Sequence, residues 1–128
     1  MFELPAVMAL AMSRSAHAGE RQAVIAANIA NADTPGYVPR DLSPFDPDAA
    51  DGRAAPMRAS RPGHIRTAPG TAPAAAALHA APDEIAPNGN GVSLEAQMAR
   101  AAEVRRSNDL AMAVYGASAG ILRGVIGR

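Results

Sequence analysis

The chain has 128 residues, room for one small domain and too little for a multidomain enzyme. Hydrophobic residues make up 48% of it, but much of that is alanine and aromatics are only 3%, so each buried side chain removes little area and a self-sufficient core is not expected. Twelve arginines and no lysine balance twelve acidic residues, which leaves none of the basic excess of a general phosphate binder; the absence of cysteine excludes disulfide scaffolds, thiolate metal sites and a cysteine nucleophile.

The N-terminal run Met1 to Met12 is apolar but has Glu3 where a secretory signal carries a basic residue, so no cleaved signal peptide is expected. No apolar stretch reaches the roughly 18 residues of a membrane span, and none is expected. From Pro5 to Ala32 only Gly19 breaks a helical composition, which predicts a helix about 37 Å long. Leu4, Met8, Ala11, Ala18, Ile25 and Ile29 recur at three, four or seven, interrupted by Ser15 and Gln22, and make a thin apolar stripe. The small residues Ala23, Ala26, Ala27 and Ala30 let a neighbouring helix come close.

The string Asn28-Ile29-Ala30-Asn31-Ala32-Asp33-Thr34-Pro35-Gly36-Tyr37, followed by Arg40-Asp41, reads as a helix end. Asn31 suits a left-handed conformation, Thr34 is pushed out of the helical region by Pro35, and Pro35-Gly36 suits a turn with positive φ at the glycine. Asn28 and Asn31 share a helical face and are placed to bond backbone groups of a neighbouring helix, with Tyr37 anchoring the emerging chain.

Residues 43–91 hold eight of the eleven prolines and a low-complexity stretch from Ala68 to Pro82, and read as an irregular connector with room for short strands or a turn of helix at Ala74 to Ala80. Proline then vanishes, and a second helix of about 50 Å is predicted from Ser93 to about Val125. Ser93 is placed to cap it and Glu95 to meet the positive end of its dipole. Leu94, Met98, Ala101, Met112, Tyr115, Ala119, Leu122 and Ile126 approximate heptads, interrupted by Arg105 and Asn108. Gly116, Gly120 and Gly124 leave a bare groove on one face, where something is expected to pack.

The segment ANIANADTPGY at the end of the first helix resembles the signature of the bacterial flagellar rod, hook and hook-associated proteins, the axial proteins of the flagellum. With the later block Asn88-Gly-Asn-Gly-Val-Ser-Leu-Glu-Ala-Gln-Met98, the resemblance covers roughly residues 10–45 and 85–126 and is nearest to the proximal rod proteins. Asn88 and Ser93 depart from it, standing where the family usually has an acidic residue, and the aromatic often found near Ser107-Asn108 is missing. The resemblance implies an all-α fold, with two long terminal helices pairing as a coiled-coil-like hairpin: residues 1–42, the connector 43–91, and residues 92–128. It implies a non-enzymatic subunit without cofactor or metal, exported by the flagellar type III apparatus without signal cleavage. Its implied place is the periplasmic rod of the basal body, and its implied partners are copies of itself, other rod proteins, and the adapter and membrane ring below.

The assembly interface expected from both lines of reading comprises Asn28, Ile29, Asn31, Thr34, Pro35, Gly36, Tyr37, Leu94, Met98, Met112, Tyr115, Leu122 and Ile126. His17, His64 and His79 are too dispersed for a metal or catalytic site. Asp46-Pro-Asp48 with Asp51-Gly52 lacks the glutamate of a calcium loop, and Gly89-Asn-Gly91 lacks the lysine of a phosphate loop. Phe45, four residues before Ala49, faintly matches the export-gate pattern of rod and hook subunits. Two rivals stand beside the rod reading: a sibling proximal rod protein, and a small helical nucleic-acid binder using Arg100, Arg105 and Arg106, which predicts salt-sensitive retention on DNA. A hydrolase has less support, with no nucleophile elbow or evident pocket.

Overall fold

The computed structural model describes residues 4–47 and 77–127. Helix α1 spans Leu4–Ala30 and helix α2 spans Leu94–Ile126; between them lie two three-residue strands, β1 at Arg40–Leu42 and β2 at Leu78–Ala80. The fold is the expected helical hairpin. The helices run antiparallel, because the end of α1 meets the start of α2 through Asn28 and Gln97 while Ser15 meets Asn108 further along.

The seam between the helices repeats every seven residues. Ala11, Ala18 and Ile25 are buried on α1, and Gln97, Val104, Ala111 and Ser118 on α2. Ala18, Ile25 and Val104 form the apolar centre, with Ile29 and Ala101 packed against it. A seven-residue repeat of buried positions is the spacing of coiled-coil-like pairing. The seam of α2 thus has a different phase from the apolar stripe read in the sequence: Leu94, Met98, Met112 and Ile126 are exposed, while Tyr115 and Leu122 are half-buried at its margin. Polar interruptions on the two helices answer one another, since Ser15 Oγ donates to Asn108 Oδ1 at 2.6 Å and Arg14 Nε to Ser107 Oγ at 3.1 Å.

Helix α2 begins as its sequence dictates, with Ser93 in extended conformation and its Oγ accepting from the Ala96 N–H, and Glu95 in the first turn. One 18-residue window of α2 has a mean hydropathy of 1.3, so by length and composition this helix is apolar enough to cross a membrane. Interspersed alanines raise that average without any long unbroken apolar run, which the sequence lacks. In the hairpin the same helix is paired with α1 from Gln97 to Ser118.

The strands form an antiparallel ribbon with Arg40 opposite Ala80 and Leu42 opposite Leu78. Asp41 and Leu42 are buried beneath it, whereas β2 is exposed throughout. The ribbon continues past its ladder, as Ser43 N–H donates to Ala77 O and Ala81 N–H to Pro39 O, both at 2.9 Å. His64, Ala49, Asp48 and Asp51-Gly52 lie outside the described residues.

Candidate functional site: the polar junction at the helix end

Among the described residues, hydrogen bonds concentrate where α1 ends. Thr34 precedes Pro35, which cannot continue a helix, and Gly36 takes φ +70, while the Tyr37 N–H returns to Thr34 O at 3.3 Å. Proline then glycine with positive φ at the central positions is a type II turn. Asn31 does not adopt the left-handed conformation expected of it, since no non-glycine residue among those described has positive φ. Its side chain closes the helix differently: Nδ2 donates to Ala27 O at 2.8 Å and Oδ1 accepts from the Thr34 hydroxyl at 3.2 Å.

Asn28 is 1% exposed and uses its full bonding capacity. Nδ2 donates to Arg40 O at 2.7 Å and to Gln97 Oε1 at 3.2 Å; Oδ1 accepts from Arg40 N–H at 3.1 Å and from the Tyr37 hydroxyl at 3.2 Å. It bonds the backbone of β1 rather than that of a neighbouring helix. One side chain therefore fixes the start of the ribbon, the tyrosine after the turn and the first turn of α2.

Gln97, fully buried, passes the network on: its Nε2 donates to Asp83 Oδ2 at 3.3 Å. Asp83 also pairs with Arg100, through Nη1 at 3.2 Å and a shorter contact from Nη2, and it accepts from the Ser93 N–H. A second ion pair ties α1 to β1, where Arg21 Nε and Nη2 hold Asp41 Oδ1 and Oδ2 at 2.7 and 2.6 Å. Burial pushes the Asp41 carboxyl up, but the Arg21 fork, the Leu42 N–H and the charges of Arg21 and Arg100 outweigh it and hold Asp41 below the usual carboxylate range.

Asn90 closes the junction. Its Nδ2 lies within hydrogen-bond reach of three carbonyls in the turn, Asn31 O at 3.0 Å, Ala32 O at 2.7 Å and Thr34 O at 2.8 Å, while Oδ1 accepts from the Val92 N–H at 2.7 Å. Its backbone N–H donates to Asn88 Oδ1 at 3.0 Å. The adjoining backbone is stitched to the same turn, with Gly36 N–H on Asn88 O and Gly91 N–H on Tyr37 O. Gly89, at φ +78, and Gly91 allow this approach; a Cβ on Gly91 would come within 3.2 Å of both Pro39 and Pro82. The two motifs read separately in the sequence are thus halves of one latch.

Of the expected interface residues, Asn28, Ile29, Asn31, Thr34, Pro35, Gly36 and Tyr37 all belong to α1's end and its turn. Leu94, Met98, Met112 and Ile126 stand exposed along α2. Asn90, Gln97, Asp83 and Asp41 were not singled out for these roles; the signals were that Asn90 and Gln97 fall inside the quoted second motif and Asp41 in the Arg40-Asp41 pair after the first. Phe45 is held against α1 by an edge contact to His17 and by the Arg14 guanidinium 5.9 Å from its ring centre. His17 Nε2 lies 2.9 Å from Ser43 O, a pure acceptor, so this nitrogen carries the proton. Among the described residues no cluster of three His, Asp or Glu is placed to hold a metal ion.

Fold and junction together define a helical scaffold element, an antiparallel hairpin whose polar groups are spent on locking one end. Residues 8–37 match the family model for the flagella basal body rod protein, a segment that runs along α1 and stops at the tyrosine after the turn. The match covers 30 of the 128 residues and shows what α1 and the turn after it are similar to. No curated protein matches it.

Proposed function

We propose that the chain serves as the proximal rod subunit of the FlgB type, polymerising through its terminal helices into the tubular shaft around the export channel. The observation that supports this reading is the amount of apolar helix surface left uncovered by the hairpin itself. On α2, Leu110, Val114, Ile121 and Val125 recur at helical spacings of four, seven and four and are exposed, Val125 at 71%. At Gly116, Gly120 and Gly124 nothing lies within 4 Å of where a Cβ would stand. Val7 and Leu10 of α1 extend the same apolar flank beside Leu110, Val114 and Phe45. Surface of this kind marks association, and repeated head-to-side contacts between copies generate a helical tube.

In this reading the expected interface residues on α2, with Tyr115 and Leu122 at the seam's margin, meet neighbouring subunits. The partners are further copies, other rod proteins, the basal-body adapter and the membrane ring, reached after export as an unfolded chain without signal cleavage. The nucleic-acid alternative loses one of its three arginines to the Asp83 pair.

The test is a clean deletion in the source organism, scored for swimming and for rods on isolated basal bodies by electron microscopy. The expected outcome is non-motile cells lacking rods, rescued by this gene and not by a copy carrying Leu122→Asp that is expressed at the normal level. Motile deletion cells with intact rods would overturn the proposal.

A further inference from the structure

Two Asn-Gly pairs stand two residues apart in the latch, Asn88-Gly89 and Asn90-Gly91. An asparagine followed by glycine is chemically labile, because no side chain shields the following backbone nitrogen. That nitrogen, once a base has taken its proton, attacks the asparagine Cγ; the N–Cγ bond forms, the Cγ–Nδ2 bond breaks and ammonia leaves, taking a proton from solvent. Water then opens the resulting five-membered imide at either carbonyl, giving aspartate or its isomer linked through the side chain.

We propose that Asn90-Gly91 is a deamidation site open in the unfolded chain and closed by the fold, and that its product is barred from rebuilding the latch. Each participant in the reaction is engaged in the folded chain. The attacking nitrogen of Gly91 donates to Tyr37 O at 3.0 Å. The leaving nitrogen of Asn90 faces three carbonyls, and its Oδ1 is fixed by the Val92 N–H. Asn90 is 2% exposed and Gly91 is buried, so base and water are excluded as well. At Asn88 the attacking nitrogen is also bonded, Gly89 N–H donating to Ala86 O at 2.8 Å, and Oδ1 accepts from the Asn90 N–H, but Asn88 and Gly89 are both exposed, so base and water reach them. The molecule therefore carries its own reference site two residues away.

The product explains why closure matters. A carboxylate only accepts hydrogen bonds, so at position 90 it would set negative charge against the carbonyl oxygens of Asn31, Ala32 and Thr34, which lie 2.7 to 3.0 Å from the present donor. The side-chain-linked isomer also lengthens the backbone by one carbon and displaces the Val92 N–H. A chain kept unfolded too long is thus marked at Asn90, and the mark prevents it from closing. This inference does not depend on the rod reading, and its failure would leave that reading untouched.

The test incubates the full-length chain in mildly alkaline buffer with and without urea, and follows both sites by peptide-mapping mass spectrometry. In urea the two asparagines deamidate at comparable rates. Without urea the ratio of the Asn90 rate to the Asn88 rate falls by about tenfold or more, since reaction at Asn90 requires local opening. An unchanged ratio would overturn the closure. Asn90→Asp and Asn88→Asp chains, compared in urea unfolding, test the product: the first is expected to raise the unfolded-to-folded ratio by about tenfold or more, matching loss of a buried donor, and the second to leave it near wild type. An Asn90→Asp chain as stable as wild type would overturn the second half of the proposal.

Discussion

Replacing Asn28 by alanine should destabilise the hairpin as much as removing a core side chain. The substitution deletes four hydrogen bonds and strands their partners: both backbone groups of Arg40, the amide oxygen of Gln97 and the Tyr37 hydroxyl. At about 1 kcal/mol per neutral bond the gross loss is about 4 kcal/mol. Tyr37 is half-buried and regains water, whereas Gln97 is sealed, so about 3 kcal/mol remains. Ile25→Ala, which empties a fully buried position between Ala18 and Val104, provides the yardstick at about 2–4 kcal/mol. Asn31→Ala removes bonds that are already exposed and should lose less than about 1 kcal/mol. Urea unfolding followed by far-ultraviolet circular dichroism measures all three. If Asn28→Ala fell within about 1 kcal/mol of wild type while Ile25→Ala lost its full share, helix pairing alone would hold the molecule and the junction's energetic role would be refuted.

Other consequences follow from single residues. Because the folded Asp41 carboxyl titrates below its ordinary value, its stabilisation is complete above the unfolded pKa of about 3.9 and disappears as pH falls through the lower folded value. Asp41→Asn should therefore lower stability at neutral pH by about 1–2 kcal/mol and flatten that acid limb, as read from unfolding curves along a pH series. Gly36→Ala meets open space but must hold φ +70, so its melting temperature should drop, by about 1 kcal/mol in stability. Gly116→Ala, equally unobstructed but in mid-helix, should shift the melt upward by a similar amount.

Both helices were legible because their limits are written in local chemistry: proline is absent from both after Pro5 in the first turn of α1, Ser93 caps one start, and Thr34-Pro35-Gly36 ends the first. The seam on α2 was not, because its layers are Gln97, Val104, Ala111 and Ser118, a glutamine and a serine among small side chains, while the bulkier Leu94, Met98 and Met112 face outward. Hydrophobic periodicity finds the most apolar face, and here that face is not the one the hairpin covers. The turn at Gly36 was readable from proline and glycine alone. The Asn90 latch was not, because its donor and the carbonyls it meets are more than fifty residues apart, and its single amide satisfies a turn that looks complete without it. The β-ribbon likewise depends on Asn28 clamping both backbone groups of Arg40, a tertiary contact that strand propensity does not encode.

The heptad seam has a further consequence. With small side chains at Ala11, Ala18 and Ala111 and only Ile25 and Val104 as bulk, apolar contact discriminates weakly against sliding α2 along α1 by one seven-residue repeat. Such a slip brings the Asn28 amide to the level of Val104, which has nothing to offer it, and separates Ser15 from Asn108 and Arg14 from Ser107. The buried polar side chains thus act as a key cut for one lock position. They add little attraction per residue but make every misaligned pairing worse, so two nearly featureless helices close at a single setting.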